Sequence, residues 1–345
     1  ASLVKDADAL IIRTRTHCNR ELLEGSRVRF IATATIGFDH IDTEYCHQAG
    51  IVWKNAPGCN SASVAQYLQS TLLLTELLKG KKLSEMAIGI VGVGNVGSKV
   101  AEVARELGMR VLLNDLPRED EEGSAGFSSL QFLAEKCDVL TFHVPLYKEG
   151  KYKTLHLADQ SFFRSLKRSP IIINTSRGEV IETNALLEAL KNGLISDAVI
   201  DVWENEPDIN LTLLNKVFIG TPHIAGYSAD GKANATRMSL DSLCQHFDIQ
   251  ADYRIVPPEP ENPMITATTE TEAYLQMYDP RRDSEALKQH PELFERRLSA
   301  EKRENSLPRS DFIATSYQVR VKSVPSPYQL QAYRYGDDTD LIQFR

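Results

Sequence analysis

Short apolar runs alternate with helix-length stretches from the start of the chain to about Gly226, the pattern of parallel strands joined by helical crossovers. Strands are predicted over 7–12 and 29–33, ahead of a Pro57-Gly58 break. A helix is predicted over 65–79, where Leu68, Leu72 and Leu73 fall on one stripe. Six more strands follow at 86–91, 110–114, 139–143, 170–174, 197–201 and 217–220, with helical sequence such as 96–107 and 184–191 between them. Six strands with such crossovers make a complete doubly wound parallel-sheet Rossmann domain in an α/β protein. After His246 the texture changes. Pro257, Pro258, Pro260 and Pro263 crowd a linker-like stretch, a charged segment covers 278–305, and an alternating run over 317–322 reads as an amphipathic strand. This is a third, small domain.

Composition narrows the function classes. A chain of 345 residues exceeds one ordinary core, so two or three domains are expected. The net charge of −8, from 39 basic and 47 acidic residues, argues against nucleic acid and anionic membranes as partners. An anionic substrate would need a local basic cluster. No apolar run approaches the roughly 18 residues that span a bilayer, and no signal peptide opens the chain. The cysteines (Cys18, Cys46, Cys59, Cys137 and Cys244) are odd in number and scattered, which suits reduced thiols in a cytoplasm. No metal is expected either. The group Asp39, His40, Asp42, Cys46 and His47 fits no standard ligand spacing, and Asp42 reads as a helix cap. Because Ala1 stands so close to a buried strand, an opening strand and helix of roughly 30 residues are expected to precede it.

Two features carry chemistry. The strand at 86–91 runs into Gly92-Val93-Gly94-Asn95-Val96-Gly97 and then into a helix, the context that gives G-x-G-x-x-G its meaning. Gly92 permits the tight turn, Gly94 lets the backbone approach a pyrophosphate, and Gly97 lets helix and strand pack closely. Asp115 ends the next strand, where it can accept from the adenosine ribose and repel a 2′-phosphate. NAD is therefore the expected cofactor, although Arg118 nearby could pair with such a phosphate. The second feature lies at the carboxyl ends of the last three strands, which deliver Arg177, Glu206 and His223. A neutral imidazole can take the hydroxyl proton of a 2-hydroxy acid, and a carboxylate on its other nitrogen fixes the tautomer. A guanidinium offers a bidentate fork to the substrate carboxylate. Arg13 and Arg15, beside Thr14 and Thr16, form a basic, hydroxyl-rich turn; sequence alone divides evenly between a phosphate site and a solvated loop there. His143, His156 and Cys59 are expected near the cleft with no part in the chemistry.

The segments 89–97, 174–178, 201–207 and 221–226 resemble the D-isomer-specific 2-hydroxyacid dehydrogenases. Within that family the stretches 32–40, 56–60, 140–146 and 152–157, with Tyr278–Asp283, resemble a branch that has its own C-terminal dimerisation domain and acts on a small phosphorylated 2-hydroxy acid. The resemblance implies that Arg177 and Glu206 are active-site residues and that His223 is the proton donor and acceptor. It implies NAD contacts from Asp115, Val144, Asp201 and Gly226, and substrate contacts from Thr14, Thr35 and Tyr227. It further implies a flavodoxin-like substrate domain over 1–58 and 224–252, a Rossmann domain over 59–223, and a small α+β dimerisation domain over 253–345, so that the protein is a homodimer. Two rivals stand beside this reading: a phosphoglycerate or hydroxypyruvate type of 2-hydroxyacid dehydrogenase, and a non-catalytic NAD-sensing, corepressor-like scaffold on the same fold.

Overall fold

The computed structural model describes residues 4–13, 16–258, 264–292 and 294, together with the strand backbones at 316–317, 320–321 and 332–333. Two parallel sheets organise the chain. The first holds β1 (Ala9–Ile12), β2 (Phe30–Thr33) and β3 (Val52–Lys54) in that order, with α1 (Arg20–Leu23) and α2 (Thr43–Gln48) in the crossovers. Asp42 caps α2 by accepting from the Tyr45 N–H at 2.9 Å, as its position before the helix predicts. The short strand β3 has no counterpart in the sequence reading. It runs Val-Trp-Lys on the sheet edge with Val52 and Lys54 exposed, and the three apolar residues Ile51, Val52 and Trp53 are too short a run to mark a strand.

The long helix α3 (Ser61–Lys79) leads to the second sheet and ends in a left-handed Gly80. That sheet comprises β4 (Ala87–Val91), α4 (Asn95–Glu106), β5 (Arg110–Asn114), α5 (Leu116–Glu122), α6 (Leu130–Lys136), β6 (Val139–Phe142), α7 (Gln160–Ser165), β7 (Ile171–Asn174), α8 (Thr183–Lys191), β8 (Asp197–Ile200), α9 (Leu211–Leu214) and β9 (Ile219–Gly220). All six predicted strands are present, parallel, in the order β5-β4-β6-β7-β8-β9. The order reverses between β4 and β6, so the crevice that receives a ligand opens at their carboxyl ends. Alternate side chains feed two cores. Ile88, Ile90, Ile171 and Ile173 pack with α3 and α4 on one face, whereas Leu140, Phe142, Ile172 and Ile200 pack with residues of α6, α7 and α8 on the other. This is a doubly wound Rossmann domain.

The helix α10 (Ala229–Phe247) returns the chain to the first sheet, where His246 stacks on Phe30 with ring centroids 4.8 Å apart. After it, β10 (Met264–Ile265), α11 (Glu270–Met277) and α12 (Pro280–Gln289) do not build a core of their own. Tyr274, Met277 and Tyr278 enter the core on one face of the Rossmann sheet, and Leu287 and Phe294 enter the core on the other. The described part of the C-terminal segment thus wraps the β9 edge. Of the run predicted at 317–322, Tyr317 and Arg320–Val321 are strand residues in separate two-stranded pairs; Gln318, Val319 and Lys322 lie outside the described residues. Among the described residues no helix is long and apolar enough to cross a membrane.

Candidate active site

The glycine loop is built as its spacing predicts. Gly92 has φ +88, and a Cβ on it would lie 2.6 Å from the His143 carbonyl oxygen and 2.8 Å from Val144 Cγ1. Val144, expected at the cofactor, thus lies beside the Gly92 turn on the exit of β6. A Cβ on Gly97 would overlap the Gly92 carbonyl, so α4 can begin against β4 only with glycine there. Gly94, by contrast, faces open space and leaves the N-terminus of α4 without a side-chain cap, so the first N–H groups, those of Asn95 and Val96 among them, are offered to an anion. The loop fits a dinucleotide pyrophosphate.

Asp115 stands at the end of β5, but its carboxylate is more occupied than the sequence suggests. Oδ2 accepts from the Val93 N–H at 2.7 Å and Oδ1 caps α5 through the Arg118 N–H at 3.1 Å, so each oxygen keeps one lone pair for a ribose hydroxyl. Arg118 grips Glu122 through Nε (2.7 Å) and Nη2 (2.9 Å), and Nη1 donates to the Val93 carbonyl at 2.8 Å. With its fork committed, Arg118 is poorly placed to answer a 2′-phosphate, which favours NAD over its phosphorylated relative.

At the exits of β8 and β9, Glu206 and His223 meet. The Glu206 Oε2 atom lies 2.8 Å from His223 Nδ1, and Oε1 accepts from the Trp203 N–H at 2.9 Å. An ionised carboxylate only accepts, so Nδ1 carries the proton and Nε2 is left as the basic nitrogen. His223 is non-glycine backbone at φ +56, a conformation that costs about 1–3 kcal/mol and persists only where neighbours impose it. The neighbour here is Asp201. Its carbonyl accepts the His223 N–H at 2.7 Å, Oδ1 accepts Ile224 N–H (2.8 Å) and Thr221 Oγ1 (2.6 Å), and Oδ2 accepts Ala225 N–H (2.9 Å). Asp201 is 1% exposed. Three of about four lone-pair sites on its carboxylate therefore hold the imidazole's turn, and at most one is left for a cofactor.

Arg177 leaves β7 half-exposed. Nη1 donates to the Ser176 carbonyl at 2.8 Å, and Nη2 lies 4.0 Å from Asp39 Oδ2, an exposed pair of little strength. The same Nη2 lies against the loop after β2, where a Cβ on Gly37 would sit 3.0 Å from it. The loop of Arg177 is locked to the next one by contact: a Cβ on Gly178 would collide with the Trp203–Glu204 peptide. Arg177 thus neighbours Gly178, Gly178 abuts Trp203, and Trp203 binds the carboxylate that holds His223.

A second acid in the β8 exit was not singled out by sequence. Glu204 accepts the Thr183 N–H on Oε2 at 2.8 Å and meets His156 Nε2 through Oε1 at 2.7 Å, which ties the segment after Arg177 to the loop of Glu206. Burial pushes the Glu204 carboxyl up, but the hydrogen bonds from Thr183 and His156 outweigh it and hold the group below the usual carboxylate range. A carboxyl depressed on folding adds stability above its unfolded pKa and loses it as pH falls through the folded value. Glu204→Ala is therefore expected to cost about 1–3 kcal/mol by urea unfolding at neutral pH, and the gap to wild type should close as the medium is made more acid than the normal carboxylate range. A gap that is constant with pH would refute the carboxylate brace.

The substrate side is partly visible. Thr35 Oγ1 donates to the Gly37 carbonyl at 2.8 Å and lies 2.6 Å from Thr33 Oγ1, which itself meets His40 Nε2 at 2.9 Å. His40 is thereby spent inside the first sheet. Thr14 and Arg15 lie outside the described residues. Arg13 is exposed at the exit of β1, near enough to Cys59 for its charge to oppose the rise that burial gives the thiol, to about 11. Tyr227 lies under the Lys232 ammonium, 5.3 Å from ring centroid to Nζ. Gly226 packs against the Asn60 amide, whose buried Oδ1 has no hydrogen-bond partner. His143 sits between Thr141 Oγ1 (3.0 Å) and Thr175 Oγ1 (3.3 Å), and burial lowers its pKa to about 3, which keeps it neutral beside the crevice.

With that geometry in place, the chain can be set beside known proteins. Residues 62–225 match the family model of the D-isomer specific 2-hydroxyacid dehydrogenase, NAD binding domain. The chain is 74% identical over 293 residues to an erythronate-4-phosphate dehydrogenase of Bacteroides thetaiotaomicron, covering 85% of this chain and 84% of that protein. It is 44% identical over 305 residues to one from Porphyromonas gingivalis, covering 86% and 83%. Among solved structures it is similar to a D-lactate dehydrogenase from Aquifex aeolicus complexed with NAD and lactic acid, with 27% identity, a TM-score of 0.60, and coverage of 72% of this chain and 85% of that one.

Proposed function

The chain belongs to the D-isomer-specific 2-hydroxyacid dehydrogenase family, and from that premise we propose that it oxidises 4-phospho-D-erythronate to 2-oxo-3-hydroxy-4-phosphobutanoate with NAD, a step of pyridoxal 5′-phosphate (vitamin B6) biosynthesis. It is an NAD-dependent dehydrogenase. NAD, when bound, supplies the nicotinamide carbon that accepts hydride from C2 of the substrate. In our reading Arg177, Glu206 and His223 are the catalytic set. Nε2 of His223 takes the proton of the C2 hydroxyl, and Glu206 stabilises the imidazolium that forms. Arg177 grips the substrate carboxylate with its guanidinium fork. We assign the pyrophosphate to Gly92, Gly94, Asn95, Val96 and Gly97, the ribose to Asp115, and further cofactor contacts to Val144, Gly226 and the remaining lone pair of Asp201. Thr14, Thr35, Tyr227 and Arg13 are assigned to the substrate.

The observation that carries the proposal is the 2.8 Å pair between Glu206 and His223 at adjoining strand exits of a dinucleotide fold. A non-catalytic scaffold has no use for that couple. The domain limits we propose are 1–58 with 224–252 for the substrate, 59–223 for NAD, and 253–345 for contact between two copies in a cytoplasmic homodimer. Initial rates of NADH formation test the substrate. We expect kcat/KM for 4-phospho-D-erythronate to exceed that for 3-phosphoglycerate by about 10²-fold or more, and equal values would replace this reading with the phosphoglycerate type.

A further inference from the structure

The strand that delivers His223 is weakly held by its own sheet. β9 has two ladder residues and pairs on one side only, with β8. Its other edge belongs to α12: the Gly220 N–H donates to Ser284 Oγ at 3.0 Å, and Lys288 Nζ donates to the Val217 carbonyl at 2.7 Å. At the junction of α11 and α12, Tyr278 and Asp283 are turned inward, 8% and 2% exposed, with Tyr278 Oη donating to Asp283 Oδ2 at 3.0 Å. The Tyr278 ring lies 6.0 Å from that of Tyr67. The Tyr67 hydroxyl is 2.7 Å from Thr221 Oγ1, which is 2.6 Å from Asp201 Oδ1. Thr221 has one hydroxyl proton, and the carboxylate takes it, so Tyr67 must donate to Thr221. A buried string of contacts, hydrogen-bonded at both ends and aromatic between Tyr278 and Tyr67, therefore runs from α12 to the residue that holds the His223 turn.

We propose that the segment Tyr278–Ser284 is an intrasubunit positioning element for His223. Ser284 fixes the end of β9 directly, and Tyr278 with Asp283 seats Tyr67 against Thr221, so that Asp201 presents the imidazole at a set angle. This assigns to Tyr278 and Asp283 a role inside their own subunit, whereas the family resemblance links their stretch to dimerisation. The inference rests on His223 being the proton acceptor. Proton transfer needs the heavy atoms within about 2.6–3.2 Å, and a misplacement of about 1 Å can cost about 10²-fold in rate. Burial, with the charges of Asp201 and Asp283 adding to it, holds the Tyr67 phenol well above its ordinary pKa, and Tyr278 is raised in the same way, so both remain donors at working pH.

The test uses the full chain with Ser284→Ala, Tyr278→Phe and both together, measuring kcat, KM, the pH profile of kcat, and NADH affinity by fluorescence titration. We expect kcat to fall about tenfold in each single variant and about 10²-fold in the double, with an altered acid limb of the profile and NADH affinity unchanged. Ser284→Thr, which keeps the accepting hydroxyl, should restore the rate. A double variant that turns over at the wild-type rate would overturn the proposal, as would parallel loss of rate and NADH affinity. So would Ser284→Thr behaving as Ser284→Ala, a comparison that serves if the double variant does not fold. His223→Asn separates the two levels: turnover surviving in it removes the base assignment itself, whereas turnover lost there but intact in Ser284→Ala removes only the positioning role.

Discussion

His223→Asn is expected to lower kcat by about 10³-fold, within the range a positioned acid–base group supplies, while NADH binds as tightly as to the wild type. Asparagine suits the test because it tolerates the left-handed backbone that His223 adopts, and because the turn is held by main-chain groups that the substitution leaves in place. The 2.7 Å bond from its N–H to the Asp201 carbonyl and the Asp201 carboxylate bonds to Ile224 and Ala225 do not involve the imidazole. What disappears is Nε2 and the charge that Glu206 would stabilise. Turnover persisting near the wild-type rate would mean that another group takes the proton, and the whole assignment of the Glu206–His223 couple would fall with it.

The second large effect belongs to the cofactor loop. In Gly97→Ala the new methyl would overlap the Gly92 carbonyl, a main-chain atom that cannot rotate aside as a side chain can. Either α4 withdraws from β4 or the Gly92 turn opens, and overpacking of this kind costs about 1–3 kcal/mol. Both movements displace the N–H groups to which we assign the pyrophosphate. If that cost appears in binding, the Kd for NADH rises by about 5- to 150-fold, since each 1.4 kcal/mol is tenfold. Fluorescence titration gives the Kd, and thermal unfolding gives the share paid in stability. Gly94→Ala is the internal comparison: its Cβ meets nothing within 4 Å in the free protein, so it should fold normally and lose affinity only through crowding of the ligand. Wild-type affinity in Gly97→Ala would show that the loop does not hold the dinucleotide.

Why the sheet was legible and the string behind His223 was not is a matter of range. Buried parallel strands such as Ile171–Asn174 must be apolar on both faces, so the residues announce them locally. Glycine at position 97 is likewise demanded by a neighbour five residues away, the Gly92 carbonyl, whereas Gly92 is demanded by its own left-handed turn and by His143 and Val144 on the adjacent strand's exit. The direction of a carboxylate is not written locally. Asp115 and Asp201 both follow strands and look alike on paper, yet Asp115 shares its oxygens with a helix cap, whereas Asp201 is turned inward to the loop of residues 221–225. Glu204 and Glu206 are two residues apart, and only folding sends one to His156 and the other to His223. The contact of Tyr67 with Thr221 joins positions 154 apart, and that of Gly220 with Ser284 joins positions 64 apart. The proline-rich stretch before α11 suggested separation, but the apolar faces of α11 and α12 fill gaps on both sides of the Rossmann sheet.

Arg177, Glu206 and His223 follow neighbouring strands of a single sheet, whereas Arg13 and Thr35 follow strands of the other sheet. On the roles proposed above, reactivity and selectivity are carried by separate pieces of scaffold. Loops on the small sheet can be rewritten, by selection or by an engineer, to admit a different hydroxy acid while the proton-handling apparatus is inherited intact.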